Sequence, residues 1–374
     1  MKIEFYRHNI SEKDIANVNR VLRSVFLTTG KEVAKFEDNF SRFLGCKYTV
    51  GLTSCTAALH LSLLAFNIGV GDEVITTPLS FISTANSILY AGARPVFVDV
   101  EPETGNIDVS LIEKVITKKT KAIIPVHLYG QMCDMKRLRK IANKHNLIII
   151  EDSAHCIEGK RDGIRPGQLG DAACFSFYAT KNITCGEGGA ITTNNSAIAS
   201  KLKVLRSHGM SKSAGERYTG IYKHWDMELL GWKYNMSNIQ ATLLLNQLKL
   251  INKRLAEKEK LATEYLRAFK KMPQIKTPET LSGVKHARHL FTIWVKPQER
   301  DRLLRYLQRK GIGVAINFRA IHTLSYYRQR FGFRKGDFPL AEMIGNSTIS
   351  IPLYPKLRKK EIGYIIKTVK NFYS

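Results

Sequence analysis

From residue 49 to about 195, short apolar runs alternate with helical patterns. Glu73 to Thr77, Arg94 to Val98, Ala122 to Val126, Leu147 to Ile150, Ala172 to Phe177 and Gly189 to Thr193 are rich in β-branched residues and nearly continuously hydrophobic. Such runs read as strands buried on both faces. Between them, Ala57 to Phe66, Ser83 to Tyr90, Ser110 to Ile116 and Asp134 to Lys144 read as helices by periodicity and caps. This rhythm predicts an α/β fold with a mostly parallel central sheet covered by helices. Ser237 to Leu255 predicts a long amphipathic helix, with Ile239, Leu243, Leu244 and Leu248 near helical spacing. Beyond it the chain becomes more basic and the order changes: Lys258 to Phe269 helical, Leu290 to Val295 extended, Glu299 to Lys310 helical, Gly313 to Ile316 extended. The pattern predicts a large domain over residues 1–251, including the N-terminal segment, and a smaller C-terminal α/β domain over residues 252–374.

Length agrees with that division, because 374 residues exceed the usual size of one hydrophobic core. A composition of 44% hydrophobic and 24% charged residues, with 26 Gly and 11 Pro, excludes collagen, disorder and coiled coil. Tyr48 to Gly71 contains no Asp, Glu, Lys or Arg and is long enough to span a bilayer. Its glycines at 51, 69 and 71 and its polar Thr53, Ser54, Thr56, His60 and Asn67 point instead to a buried helix with its loops, so no membrane insertion is expected. The six cysteines lack C-x-x-C or zinc spacing, which predicts reduced thiols in a cytoplasmic protein and no metal site. Met1 to Asn19 has no run resembling the apolar core of a signal peptide.

Charge is the unusual property: 58 Lys and Arg against 32 Asp and Glu leave a net +26, which favours anionic partners. The clusters Lys249 to Arg254 and Lys356 to Lys360 lie on helices with an apolar opposite face and are unaccompanied by a zinc finger or RNA-binding motif. They read as solvated faces, and no nucleic acid is expected. Gly69-Val-Gly71 precedes its strand and lacks a third glycine, so it is not a dinucleotide fingerprint.

Candidate chemistry begins with Asn146-Leu-Ile-Ile-Ile-Glu-Asp152-Ser-Ala-His155, a buried strand ending in a carboxylate where open α/β sheets bind ligands. The next strand, Ala172 to Tyr178, leads into Ala179-Thr-Lys181-Asn and then Gly186-Glu-Gly188-Gly189, so Lys181 follows a buried strand at the same sheet edge. An Asp and a Lys in this relation suit pyridoxal phosphate, whose aldehyde bonds a lysine amine and whose ring nitrogen needs a carboxylate partner. Thr53-Ser-Cys-Thr56-Ala57 stands directly before an apolar helix, either as a plain N-cap or as an anion site built from amide N–H groups and the helix dipole. Ser176 offers another hydroxyl, and Phe81, just past a strand, is an aromatic suited to stack on a flat ring or to fill the core.

Over almost its whole length the chain resembles the DegT/DnrJ/EryC1/StrS family of sugar aminotransferases, a fold-type-I group that uses pyridoxal phosphate. The resemblance rests on Leu27-Thr-Thr-Gly30, Thr53 to His60, Gly71-Asp-Glu-Val-Ile75, Pro125 to Gln131, Glu151 to His155, Phe175 to Asn182 and Gly186 to Gly189. It implies that Lys181 is the catalytic, cofactor-bonding lysine, Asp152 the partner of the ring nitrogen and Phe81 the stacking aromatic. It further implies phosphate contacts from Thr56, Ala57 and Ser176, and His155 packed near the ring. Many members read G-Y-N-Y-R-M where this chain has Gly231-Trp-Lys233-Tyr-Asn235-Met236. Either Lys233 or Asn235 is then expected to reach the cofactor phosphate of the neighbouring subunit in a homodimer. A narrower resemblance, over Lys181 to Cys185 and Asn317 to Arg328, is to the UDP-4-amino-4-deoxy-L-arabinose:oxoglutarate aminotransferases of lipid A modification. It implies that Arg319 and His322 lie near a nucleotide-linked 4-keto sugar, aminated at the expense of glutamate with 2-oxoglutarate as co-product. A 4-keto-6-deoxyhexose substrate, or a non-catalytic regulator or nucleic-acid-binding protein on the same fold, is the alternative.

Overall fold

The structure, a computed structural model, describes residues 1–211 and 224–374. Helix α1 (Glu12–Leu22) starts from a reciprocal capping box between Ser11 and Asp14, and α2 (Lys31–Leu44) stops where Gly45 turns left-handed. Then follow β1 (Tyr48–Leu52), α3 (Cys55–Ala65), β2 (Glu73–Thr76), α4 (Ser83–Tyr90), β3 (Arg94–Phe97), β4 (Thr120–Ile124), α5 (Met135–His145) and β5 (Ile148–Asp152). A two-residue strand β6 (Lys160–Arg161) precedes β7 (Ala172–Ser176), β8 (Gly189–Thr193) and α6 (Ser196–Leu205). Among the described residues these strands, without β6, form a seven-stranded sheet ordered β1-β8-β7-β5-β4-β2-β3. Its pairs are parallel except for β8, which runs antiparallel to both β7 and β1.

The charge-free stretch that follows Tyr48 is explained by this sheet. Its first residues form β1, and the helix α3 behind it is buried nearly all round, from Cys55 and Ala57 to Leu63 and Ala65. A helix with no solvent face has no use for charge. No helix among the described residues is long and apolar enough to cross a membrane. The segment expected as a helix from Ser110 to Ile116 is a 3₁₀ helix, Val109–Val115.

The second half is organised by one element. Helix α7 (Asn238–Phe269) runs 32 residues without a break, joining the two helices expected at Ser237 to Leu255 and Lys258 to Phe269. Its first part, Leu244, Leu245, Leu248 and Ile251, packs with Phe36, Phe40, Phe175 and Phe177 under the large sheet. Its last part, Ala262, Tyr265 and Phe269, belongs to a second core with Phe291, Ile293, Ile349 and Ile365. Each such buried side chain contributes roughly 1.5–3 kcal/mol. The expected boundary between residues 251 and 252 therefore falls inside a continuous helix.

The rest of the second half comprises β9 (Val284–Lys285, paired with β6), β10 (Phe291–Trp294), α8 (Pro297–Arg309), α9 (Ser325–Phe331), α10 (Pro339–Ser347), β11 (Thr348–Ile351) and α11 (Lys359–Tyr373), of which β10, β11, α8 and α11 supply the second core. Strand β10 pairs with β11, and the expected strand from Gly313 to Ile316 is reduced to one bridge between Ala315 and Ser350. The chain's own start joins this core: Ile3 is buried in it, donating its N–H to the Gly311 carbonyl and accepting from the Gly313 N–H, both at 2.8 Å.

Candidate active site

The carboxyl ends of β1, β2, β4, β5 and β7 converge on one cleft of about 500 Å³. Asp152, the last residue of β5, is 4% exposed there. Its Oδ2 accepts from the Thr84 hydroxyl at 2.7 Å and its Oδ1 from the Ala154 N–H at 3.2 Å. Burial raises the carboxyl's proton affinity, and the Thr84 bond, the Ala154 N–H and the Lys181 charge pull it back. Beside it, Glu151 is fully buried; its Oε2 accepts from His127 Nε2 at 2.8 Å and its Oε1 from the Gly167 and Gly170 N–H groups. The His127 tautomer follows from its other nitrogen, which accepts from the Cys133 N–H. These bonds fix the end of β5 on which Asp152 is mounted.

Lys181 reaches the cleft from the turn after β7. Burial depresses its amine from the usual lysine range to about 8, against the raising effect of Cys55 and Asp152. Ser54 caps α3 by accepting from the Ala57 N–H at 3.0 Å, and Ser54, Cys55, Thr56 and Ser176 line the cleft beside the amino end of that helix. Ala57 itself is buried behind them. The glycine run lies against this turn: a Cβ on Gly189 would come within 2.3 Å of the Ser54 carbonyl. Phe81, 55% exposed, stands at the mouth with Phe318 opposite, ring centres 6.0 Å apart.

The other wall comes from the second half of the chain. His289, Leu290, Asn317 and Phe318 line the cleft, as does Phe5 from the N-terminal segment. His155 lies against His289 with ring centres 4.3 Å apart and the planes tilted by 33°, and stacks on Phe318 at 5.7 Å. Burial, and then the nearby Lys181 charge, push both imidazoles well below their ordinary proton affinity, so both are neutral.

Of the residues singled out in the sequence, Thr56, Phe81, Asp152, His155, Ser176 and Lys181 are brought together here. Lys233 is exposed and does not line this cleft, and Asn235 donates to the Thr29 hydroxyl at 2.7 Å. Arg319 is exposed one residue beyond the lining Phe318. His322 is not in the cleft: it is 1% exposed, 2.9 Å from Glu342, with its ring against Phe338. Sequence reading missed Thr84, His289, Asn317 and Phe318. For Thr84 a signal existed, a hydroxyl in the first turn of the helix after Phe81, on the cleft side of the sheet edge. Among the described residues no group of His, Cys, Asp and Glu is arranged to hold a metal.

Comparison with known proteins now decides the family. The family model of the DegT/DnrJ/EryC1/StrS aminotransferases matches residues 8–370. This chain belongs to that family. It is 40% identical to the spore coat polysaccharide biosynthesis protein SpsC of Bacillus subtilis, over 97% of this chain and 95% of that one. The putative sugar aminotransferase Spr1654 of Streptococcus pneumoniae, in its PMP form, superimposes with a TM-score of 0.94 at 31% identity, covering 99% and 98% of the two chains. Helicobacter pylori PseC, an aminotransferase involved in the biosynthesis of pseudoaminic acid, does so with a TM-score of 0.92 at 31% identity, covering 99% of each. The fold is that of the fold-type-I aminotransferases, and the cofactor is pyridoxal phosphate. The cleft fits it: a buried carboxylate and a loosely protonated lysine share one wall, hydroxyls surround a helix start, and the Nδ1 atoms of His155 and His289 are buried without a protein partner.

Proposed function

We propose that this family member transfers the amino group of glutamate to the 4-keto group of a nucleotide-linked sugar, releasing 2-oxoglutarate. The observation that carries the reading is the Lys181 amine, its proton loosened by burial, in one cleft with the buried Asp152 carboxylate and the amino end of α3. Pyridoxal phosphate, when bound, acts as an electron sink that acidifies the C–H bond of the amine it carries. The chain's residues supply the rest. Lys181 bonds the cofactor and, once freed, its Nζ takes a proton from one carbon and returns it to another, work typically contributing about 10²- to 10⁴-fold. Asp152, held by Thr84 and the Ala154 N–H, keeps the ring nitrogen protonated. Phe81 would stack on the cofactor ring, Thr56, Ala57 and Ser176 would hold the phosphate, and His155 would pack near the ring. Phe318 and Leu290, which line the cleft from the second half of the chain, would shield the bound cofactor from water.

The substrate we favour is a UDP-linked 4-keto pentose, giving UDP-4-amino-4-deoxy-L-arabinose or a near relative for a surface polysaccharide or lipid A. The net charge of +26 supports a ligand bearing two phosphates. Arg319, exposed beside the lining Phe318, is suited to meet it, whereas His322, buried against Glu342, has no route to it. A 4-keto-6-deoxyhexose nucleotide is the second reading. The two sugars differ by one exocyclic carbon, worth only about 1–3 kcal/mol in an apolar pocket. The reaction belongs to the cytoplasm, where nucleotide sugars are made, and to a homodimer in which the partner subunit's Lys233 or Asn235 completes each phosphate site. Assay of UDP-, dTDP- and GDP-linked 4-keto sugars with saturating glutamate tests the assignment. We expect the UDP pentose to give the highest kcat/KM; a hexose advantage of about tenfold or more rejects the pentose, and no turnover with any of them rejects the reaction.

A further inference from the structure

Behind Lys181, on the side away from the cleft, three polar side chains meet where an apolar contact would be expected. Lys258, 5% exposed, projects from α7 between its large-core residue Ile251 and its small-core residue Ala262. Its Nζ donates to Asn182 Oδ1 at 2.8 Å. The Asn182 amide nitrogen lies 2.8 Å from both oxygens of Glu158, which is 1% exposed, and 2.9 Å from the Ala287 carbonyl. Lys181, Asn182, Glu158 and Lys258 together line a cavity of about 30 Å³, roughly the space of one water.

Two buried charges joined through one amide are a poor way to gain stability, because apolar side chains of the same volume often pack as well or better. What such an arrangement does well is fix geometry, since each partner accepts only one placement of the others. Here the amide that is fixed belongs to the residue adjoining Lys181. The same helix holds the turn at two more points, through Gln247, which bonds the Thr184 N–H and carbonyl, and Gln240, which donates to the Glu187 carbonyl. One residue after Lys258, Glu259 binds Arg288 with two bonds of 2.8 and 2.9 Å, and Arg288 precedes the cleft residue His289. The Ala287 carbonyl links that segment directly to Asn182. One stretch of helix thus grips the chain beside Lys181 with one residue and the chain beside His289 with the next.

We infer that Lys258, Asn182 and Glu158 are positioning residues that hold Lys181 at a set reach from the His289 wall, so that its amine meets the cofactor in a productive orientation. This rests on the reading of Lys181 given under Proposed function. The charged and titratable groups around Lys258 are Glu158 from the segment after β5, Arg288 and His286 from the segment before β10, with Arg288 already paired to Glu259, and, around the same small cavity, Tyr6, Arg7, His8, Lys181, Arg254 and Tyr354.

The test compares the wild type with Lys258→Met, the double variant Glu158→Met with Lys258→Met, and Asn182→Ala, which leaves both charged side chains in place, each as holoenzyme for stability and turnover and after removal of its cofactor for uptake. Three quantities are measured: thermal midpoint, kcat with each KM, and the rate at which added pyridoxal phosphate becomes fixed to Lys181, read by borohydride reduction and peptide mass spectrometry. Lys258→Met leaves a buried carboxylate without its cation and is expected to lower the midpoint. The double variant is expected to recover the midpoint while fixing the cofactor and turning over at least tenfold more slowly than wild type, with KM for glutamate and sugar within twofold. Asn182→Ala is expected to give the same slow fixation, and serves alone if neither methionine variant folds. Wild-type rates of fixation in the double variant or in Asn182→Ala overturn the inference and leave the trio as a packing feature. Fixation in the wild type at a lysine other than Lys181 overturns both this inference and the reading of Lys181 beneath it.

Discussion

At the scale of residues, the site is governed by what burial does to two ionisable groups. A free lysine amine holds its proton to about pH 10.4 and is a poor nucleophile at neutrality. Lys181 releases it near 8 because its cation is desolvated. Only the neutral amine attacks an aldehyde, so uptake of pyridoxal phosphate by the cofactor-free protein should quicken as pH rises through about 8 and level off above it. Stopped-flow absorbance measures this, and continued acceleration to the ordinary lysine value would contradict it. Asp152 raises the proton affinity of Lys181. Asp152→Asn should therefore move the midpoint of that pH profile downward. The same variant should still take up cofactor yet lose about 10²-fold or more in kcat, since a neutral amide no longer keeps the ring nitrogen protonated; near wild-type turnover would reduce Asp152 to a cap for Ala154.

At the scale of elements, legibility followed periodicity. Strands β2, β3, β5, β7 and β8 lie within a few residues of the expected runs, because strands buried on both faces are written as unbroken apolar stretches. Asp152, Lys181, Phe81, Thr56 and Ser176 were legible as a group for a related reason: each follows a strand or opens a helix at one sheet edge, and topology carries such positions to one place. Helix α7 reads from sequence as two because Lys253 to Lys260 is rich in charge, and the buried Lys258 looks there like one more solvated lysine. His322 failed in the opposite way, since its burial depends on Glu342 twenty positions later and on Phe338, contacts that no local pattern records. His289 and Phe318 were invisible because they enter the cleft by domain packing. The start of α7 was marked, however, by Ser237 and Gln240, whose side chains cap each other's backbone N–H groups. Ser237→Ala should cost about 0.5–2 kcal/mol, seen as a lower urea midpoint with an unchanged slope.

At the scale of the whole molecule, Lys233 and Asn235 lie outside the chain's own cleft, on the segment leading into α7. If each serves a neighbour, a chain carrying Lys181→Ala and a chain mutated at both Lys233 and Asn235 are each inactive, but a mixed dimer has one intact site. Random exchange should restore roughly a quarter of wild-type activity, since half the dimers are mixed and each of those has one good site of two. Failure to recover activity after proven exchange would remove the shared site. Another long-range tie concerns the chain with itself. Ile3 completes a core otherwise assembled from residues after about 260, clasped between the backbones of Gly311 and Gly313. Ile3 leaves the ribosome some three hundred residues ahead of Gly311 and Gly313, so it stays unpaired while the intervening chain is made. The closing of that loop, spanning some three hundred residues, is then a late event in folding, in which a segment made early finishes a core made late.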